Sequence, residues 1–372
     1  MNIDIKLTTK DCSRVYTPTQ RGGVCWFAAL VMTIFFSQRM RGVSASHAKM
    51  IIKKNDWKTP IAEAMMKIML NYEINSLDKN IVGKLEPRAF LRALRRYDPV
   101  YFDSKSGEVD EGAPYGPYQH KLFAFMEIPH LSVTVPRGST EAVYSAYNFD
   151  LPVDEKKWKH AVKTLDPKGA FVDTDNPEVI VVHREAGESY LQKAWITYRP
   201  KMYEIKGINL TRHPEKIVYN KRTYVLDSCI LPSYISNACS LGHAIAGVTC
   251  NGDKYVYNGW AARSGDPAMG GAAITREMPC ALMKNDWAAD KAFCVDTNSC
   301  SITKVKKNEF CFDAFKRSSV VYVRDDSQKN VPEPKKNAPK IIPEAKKNIP
   351  KVLPSNQQKK LDLLKKRIQE RK

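Results

Sequence analysis

The sequence predicts an α+β fold, and three observations carry that prediction. Apolar residues recur at helical spacing through the first hundred positions. From Glu178 onward they change to short β-branched runs. Between two of those runs stands Asn251-Gly252, a dipeptide suited to a two-residue hairpin because both turn positions need positive φ. Helices first and strands later describe a body with two halves.

The elements follow in chain order. Cys25 to Arg41 reads as one long apolar helix, and Ser46 to Lys54 repeats Ala48, Ile51 and Ile52 at helical spacing. Pro60 to Asn71 and Glu86 to Tyr97 each carry a proline at the first turn, where no backbone N–H is needed. Phe90, Leu91 and Leu94 give the second of these an apolar face. Asp103 to Tyr118 is rich in Gly, Pro, Asp and Ser and reads as a loop. Expected strands are Val179–His183, Ala194–Tyr198, Met202–Ile208, Thr223–Asp227, His243–Thr249, Lys254–Asn258 and Ser318–Val323. The body is thus residues 1–326, mainly helical over 1–100 and mainly β over 170–326.

After Asp326 the composition shifts. The unit PEPKKNAPKII from Pro332 is followed by PEAKKNIPKVL from Pro343. Proline at this density blocks helix and sheet, so residues 327–372 read as a disordered, polyproline-like tail. Ser355 is placed to cap a final basic helix, Gln357 to Arg371, with Leu361, Leu364 and Ile368 along one stripe.

Composition sets further bounds. The 372 residues are 43% hydrophobic and 10% aromatic, enough for a sizeable core. Net charge is +19, and the tail alone supplies +10, from fourteen basic and four acidic residues. The body is only mildly basic. Nine cysteines occur with no C-x-x-C pair, which argues against a disulfide scaffold and against a paired zinc module. The N-terminus MNIDIKLTTKDC lacks a signal-peptide pattern. The longest apolar run, Val24 to Phe36, is too short to span a bilayer, which takes about 20 residues. A soluble, cytoplasmic chain without a transmembrane segment is expected.

Two segments carry chemistry. The first is Gln20-Arg-Gly-Gly-Val-Cys25-Trp26. Cys25 opens the long helix, where the macrodipole and the first-turn N–H groups favour thiolate. Gly22 and Gly23 let the backbone approach a substrate. Gln20 is placed to donate a side-chain N–H to a developing oxyanion beside the Cys25 backbone N–H. The competing reading is a small apolar residue on a buried helix. The second segment runs from Gly242-His243 to Asn258-Gly259-Trp260. A hairpin folds its ends together, so an Asn258 oxygen can accept the His243 ring N–H and fix its tautomer. Trp260 is placed to cover that bond. His47, His120, His130, His160, His183 and His213 lack such a partner and read as ordinary histidines.

Together these segments resemble the papain-like cysteine peptidases: Gln, then Cys-Trp opening a helix, a far His on a strand, then Asn-x-Trp. The resemblance to the ubiquitin-specific proteases, a branch of that superfamily, is comparable. Gln20 occupies the offset of their oxyanion Asn, and Gly242-His243 with Tyr255-Val-Tyr257 is similar to their His box. The likeness covers about 20 residues at each box. Gly22-Gly23-Val24 departs from the usual sequence before the Cys, and the zinc-binding C-x-x-C pairs of many ubiquitin-specific proteases are absent. The Lys/Asn/Ile-rich composition and repeat-bearing tail are similar in style to papain-like proteins of large DNA viruses, which implies host cytoplasm or virion.

The resemblance implies a two-lobed fold, a helical lobe carrying Cys25 and a β-rich lobe carrying His243 and Asn258. It implies a Cys25–His243–Asn258 triad with Gln20 at the oxyanion, a thioester intermediate, no cofactor, and a protein substrate such as a ubiquitin-like modifier.

Two competing readings remain. Cys239-x-x-x-His243 with Cys229 or Cys250 offers zinc ligands, but at irregular spacing, so no metal is expected. A catalytically inactive protein of the same fold would act through its tail. Fourteen basic residues suit nucleic-acid phosphates or an acidic partner, and the final helix suits an anionic membrane surface. The tail has no aromatic residue for base stacking. Met65, Met66 and Met69 fall at helical spacing as core. Asp103 to Glu111 lacks calcium-loop spacing, and Ser264 to Gly271 reads as a flexible loop bordering a cleft.

Overall fold

The structure is a computed structural model, and it describes residues 5–20, 23–74, 86–98, 102, 115–135, 143–147, 176–184, 213–233, 235–236, 242–259, 280–289, 291–296, 300–304, 309–316 and 318–326. All lie within the unit Met1–Asp326. The expected strands Ala194–Tyr198 and Met202–Ile208, most of the loop after Asp103, and the whole tail lie outside them.

The helices are α1 (Cys25–Phe35), α2 (Gln38–Lys54), α3 (Thr59–Leu70), α4 (Pro87–Tyr97) and α5 (Tyr115–Phe125). The strands are β1 (His130–Val135), β2 (Val143–Tyr147), β3 (Val179–Arg184), β4 (Lys216–Tyr219), β5 (Arg222–Pro232), β6 (Ile235–Ser236), β7 (Ala244–Cys250), β8 (Asp253–Tyr257), β9 (Met283–Lys284), β10 (Phe293–Asp296), β11 (Ser301–Thr303), β12 (Glu309–Phe312) and β13 (Ser318–Arg324). A nine-stranded sheet runs β2-β1-β3-β13-β5-β7-β8-β9, with β4 also on β5. Its β1–β3 pair is parallel. A four-stranded sheet runs β11-β10-β12-β6. The fold is mixed α/β.

The central strands β3, β13 and β7 are buried on both faces, and strand periodicity decides which residue serves which side. Val179, Val181, Ala244, Ala246, Val248, Val321 and Val323 join the helices in one core. Ile180, Val182, Ile245, Val320 and Tyr322 join Phe293, Val295, Phe310 and Phe312 of the small sheet in a second. Continuous apolar runs follow in these strands, whereas β4 alternates between exposed and buried residues. Gly247 shows how tight the second core is. A Cβ there would lie 2.6 Å from both the Cys229 sulfur and the Trp287 ring.

The helix α1 is apolar all round because it is surrounded. All ten residues from Trp26 to Phe35 are buried. It packs on β7, whose small Ala244 and Ala246 admit it closely. The run expected as one helix to Arg41 breaks at Phe36 and Ser37, where Ser37 is extended. The cause sits on β5. The buried Asp227 carboxylate accepts the N–H groups of Arg39 (2.9 Å) and Met40 (3.0 Å), capping α2 from another strand. Ser37 Oγ donates to the Asp227 carbonyl at 2.8 Å, and the Thr249 N–H donates to Ser37 Oγ at 3.0 Å. Burial pushes the Asp227 carboxyl up, against the pull of those two amides.

The helix α5 was hidden by Gly116 and Pro117 in its first turn, inside the expected loop. The strands β10 to β12 are three or four residues long, too short to show a period. The Asn251-Gly252 turn forms with φ of 52° and 86°.

The expectation of unpaired cysteines is overturned. Disulfides join Cys12–Cys250, Cys280–Cys300 and Cys294–Cys311. The first closes a sequence separation of 238 residues, worth ~5 kcal/mol on a chain-entropy estimate. The third joins register partners on β10 and β12. Such pairs depend on topology and leave no spacing signature. Among the described residues Cys25 and Cys229 are not joined in disulfides. No helix among the described residues is long and apolar enough to cross a membrane.

Burial holds His130, His183, His213 and His243 down at about 4. Below about pH 6.5 the unfolded chain binds protons that the native chain refuses, so stability falls as pH drops from 6.5 to 4. Each histidine adds a slope of up to about 1.4 kcal/mol per pH unit. Glu127 and Glu178, held low, act in the same sense further down, and Asp227 opposes them. The urea midpoint should fall steadily between pH 7 and pH 5. A flat midpoint over that range would show that these histidines protonate within the native fold.

Candidate active site

The site is built at the open end of the β7–β8 hairpin. Register pairs Ala246 with Tyr257, which leaves His243 and Asn258 just beyond the last rungs. His243 Nε2 lies 2.9 Å from Asn258 Oδ1, with both side chains buried. An amide oxygen only accepts, so Nε2 carries the proton and Nδ1 keeps the basic lone pair. The His243 backbone is fixed as well. Its N–H donates to Ser233 Oγ at 3.0 Å, and its carbonyl accepts from the Ser233 N–H at 2.7 Å. Burial lowers His243 to about 4, and the Asn258 bond pulls the other way, so the imidazole is neutral at pH 7.

The segment leading into α1 is strapped to the same hairpin. Tyr16 N–H donates to the Tyr72 carbonyl at 2.7 Å. Tyr257 Oη donates to the Pro18 carbonyl at 2.5 Å. Gln20 N–H donates to the Gly259 carbonyl at 2.8 Å. Gln20 is buried and lies against Gly259, the neighbour of Asn258. Burial raises the Tyr257 phenol far above its usual range, with Tyr16 and Cys25 adding to the effect. It therefore stays protonated as the donor to Pro18, and Cys25 is near enough to be felt.

Cys25 is the first residue of α1, half-buried, and is not joined in a disulfide. Its helix opens without a side-chain cap, since Val24 has no oxygen to offer. The described residues thus bring Gln20 against the Asn258–Gly259 end, and Cys25 into the electrostatic reach of Tyr257. Trp260, expected as the cover of the His243–Asn258 bond, lies outside the described residues. Among the described residues the Phe310 and Phe312 rings lie against His243, with centroids at 4.8 and 6.4 Å. The sequence reading missed them because β12 comes some fifty residues after Asn258, and only the alternation Glu-Phe-Cys-Phe marks it.

Of the residues in the zinc alternative, Cys239 lies outside the described residues. The Cys250 sulfur is bonded to Cys12, Cys229 is buried in the core that holds Phe310 and Phe312, and His243 Nε2 is engaged by Asn258. Among the described residues no group of three or more His, Cys, Asp or Glu side chains is placed to hold a metal.

No family model matches the chain, and no curated protein matches it. Among solved structures it is similar to the SAGA DUB module of Ubp8, Sgf11, Sus1 and Sgf73 bound to monoubiquitin. The identity is 10% over 85% of this chain and 71% of that one, with a TM-score of 0.38. The same module bound to ubiquitin aldehyde gives 9% identity over 84% and 70%, with a TM-score of 0.37. A yeast form gives 10% identity over 84% and 69%, with a TM-score of 0.32. At such scores no residue of this chain is placed by the likeness, and the site is read from its own geometry.

Gly259 is the tightest point of the strap. A Cβ there would fall 2.0 Å from Tyr257 Oη. Gly259→Ala should displace that hydroxyl from Pro18 and lower stability by about 1–3 kcal/mol in urea titration. An unchanged midpoint would mean the Tyr257–Pro18 contact is dispensable.

Proposed function

We propose that the chain is a cysteine-dependent peptidase or isopeptidase, deubiquitinase-like, working through Cys25, His243, Asn258 and Gln20. The observation that carries the reading is the buried 2.9 Å His243–Asn258 bond at the hairpin end that Gln20 also contacts. An orienting amide that fixes one tautomer leaves Nδ1 as the base, which is what thiol acyl transfer needs.

The mechanism runs as follows. His243 Nδ1 takes the Cys25 thiol proton as Sγ attacks the scissile carbonyl carbon. The Gln20 side-chain N–H and the Cys25 backbone N–H stabilise the tetrahedral oxyanion. The C–N bond breaks, and His243 returns the proton to the departing amine. Water, deprotonated by His243, then hydrolyses the thioester and frees the acid. Burial keeps His243 neutral at pH 7, so its Nδ1 is available to take the proton. A protein substrate with an extended C-terminal tail, such as a ubiquitin-like modifier, fits the resemblance of the two boxes.

The test is hydrolysis of ubiquitin carrying a C-terminal fluorogenic amide, beside a panel of fluorogenic peptides. Cys25→Ala and His243→Ala should each lower turnover by on the order of 10³-fold or more, and Asn258→Ala by less. Near-normal rates in Cys25→Ala would sink the assignment and favour a binding protein of the same fold.

A further inference from the structure

The base of this site is not held by the hairpin alone. His243 stands at the start of β7, between the helical layer and the small sheet. The small sheet contributes β12, whose Phe310 and Phe312 point the same way, with Cys311 between them facing the opposite side. Phe310 is fully buried, and its ring centroid lies 4.8 Å from that of His243 at an interplanar angle of 49°. Phe312 follows at 6.4 Å and 64°, and it rests on Phe293 at 5.8 Å. These spacings are those of interacting aromatic pairs.

The placement of β12 is over-determined. Its register pairs Phe310 with Ser236 and Cys311 with Ile235 of β6, and β6 lies between Ser233 and His243 in the chain. On its other edge β12 pairs with β10, and Cys294–Cys311 ties those two strands covalently. The rings thus belong to a fixed strand rather than to a loop.

We propose that Phe310, backed by Phe312, is a positioning residue for His243: its ring holds the imidazole plane so that Nε2 stays on Asn258, and it keeps water from that bond. The proposal rests on reading His243 as the base.

The surroundings make the effect readable. His243 is bonded to Asn258, just after β8, and to Ser233, after β5, and neither of these titrates. The titratable groups near this hairpin end include the Cys25 thiol, the Tyr16 phenol and the Tyr257 phenol, and burial raises both phenols. The two phenyl rings of β12 carry no charge. Burial is accordingly the first cause of the lowered His243 value. Removing the ring should admit water, raise that value and loosen the tautomer.

The experiment follows the His243 ring nitrogens by NMR from pH 3.5 to 8 in the full chain, with kcat/KM over the same range. In Phe310→Ala the His243 midpoint should rise by at least about 1 pH unit from its value near 4. The ring should populate both neutral tautomers, and the acid limb of kcat/KM should move with the midpoint. Phe310→Leu keeps an apolar cover and should hold the low midpoint while broadening the tautomer signals. Val182→Ala, a cavity in the same core on β3 and away from β12, should lower stability and leave the titration unmoved. If Phe310→Ala fails to fold, Phe310→Val makes the same test with a smaller void. An unchanged midpoint and tautomer in the folded variant overturns the proposal. The NMR readout needs no turnover. A shifted midpoint in a chain that hydrolyses nothing therefore upholds Phe310 while removing the hydrolase reading.

Discussion

Two hydrogen bonds join segments that are about 240 residues apart in sequence, and the site depends on them. Tyr257 Oη donates to the Pro18 carbonyl, and the Gly259 carbonyl accepts from Gln20 N–H. Between Tyr257 and Gly259 sits Asn258, and five residues after Gln20 sits Cys25. The strap that enters α1 and the strand that leaves β8 are therefore set against each other beside Asn258 and Gln20. The other end of the strap is anchored where β7 ends, by Cys12–Cys250 and by Asn251 Nδ2 donating to the Thr9 carbonyl at 2.6 Å. The strap runs the length of the hairpin, fixed at both ends.

The remaining architecture serves to keep those contacts in place. The helix α1 is surrounded by apolar side chains from the helices and from β7, so it has no solvated face on which to slide. Its far end is stopped by the corner at Ser37, which Asp227 and Thr249 hold to the sheet. A buried carboxylate costs desolvation, which its raised value records. Capping two amides of α2 offsets that cost and fixes where one helix ends and the next begins.

What was legible in the sequence was local. A hairpin with an Asn-Gly turn sets its own register, so the approach of His243 to Asn258 follows from sixteen residues and the two-residue strand period. The helices α3 and α4 were legible because a proline marks each first turn. The break at Ser37 was not, because its cause lies 190 residues later on β5. Nor were the disulfides, whose partners meet only once strand order is known. Phe310 had no signal at all. Nothing in Glu-Phe-Cys-Phe announces a neighbour of His243, since that contact requires the small sheet to fold under the large one.

The cysteines that the structure describes divide by environment. Six are joined in three disulfides. Cys229 is sealed beneath Gly247, and burial raises its value well above the ordinary thiol range. Thiolates rather than thiols attack disulfides and oxidants, so that burial keeps Cys229 inert toward the three staples. Cys25 is half-buried at the first turn of α1 and close enough to Tyr257 to raise its phenol. Across the same hairpin end, burial keeps His243 neutral at pH 7, with the Phe310 ring beside it. The environment set by the fold, and not the spacing of cysteines along the chain, thus decides which sulfurs are bonded, which is sealed and which stands at a helix end.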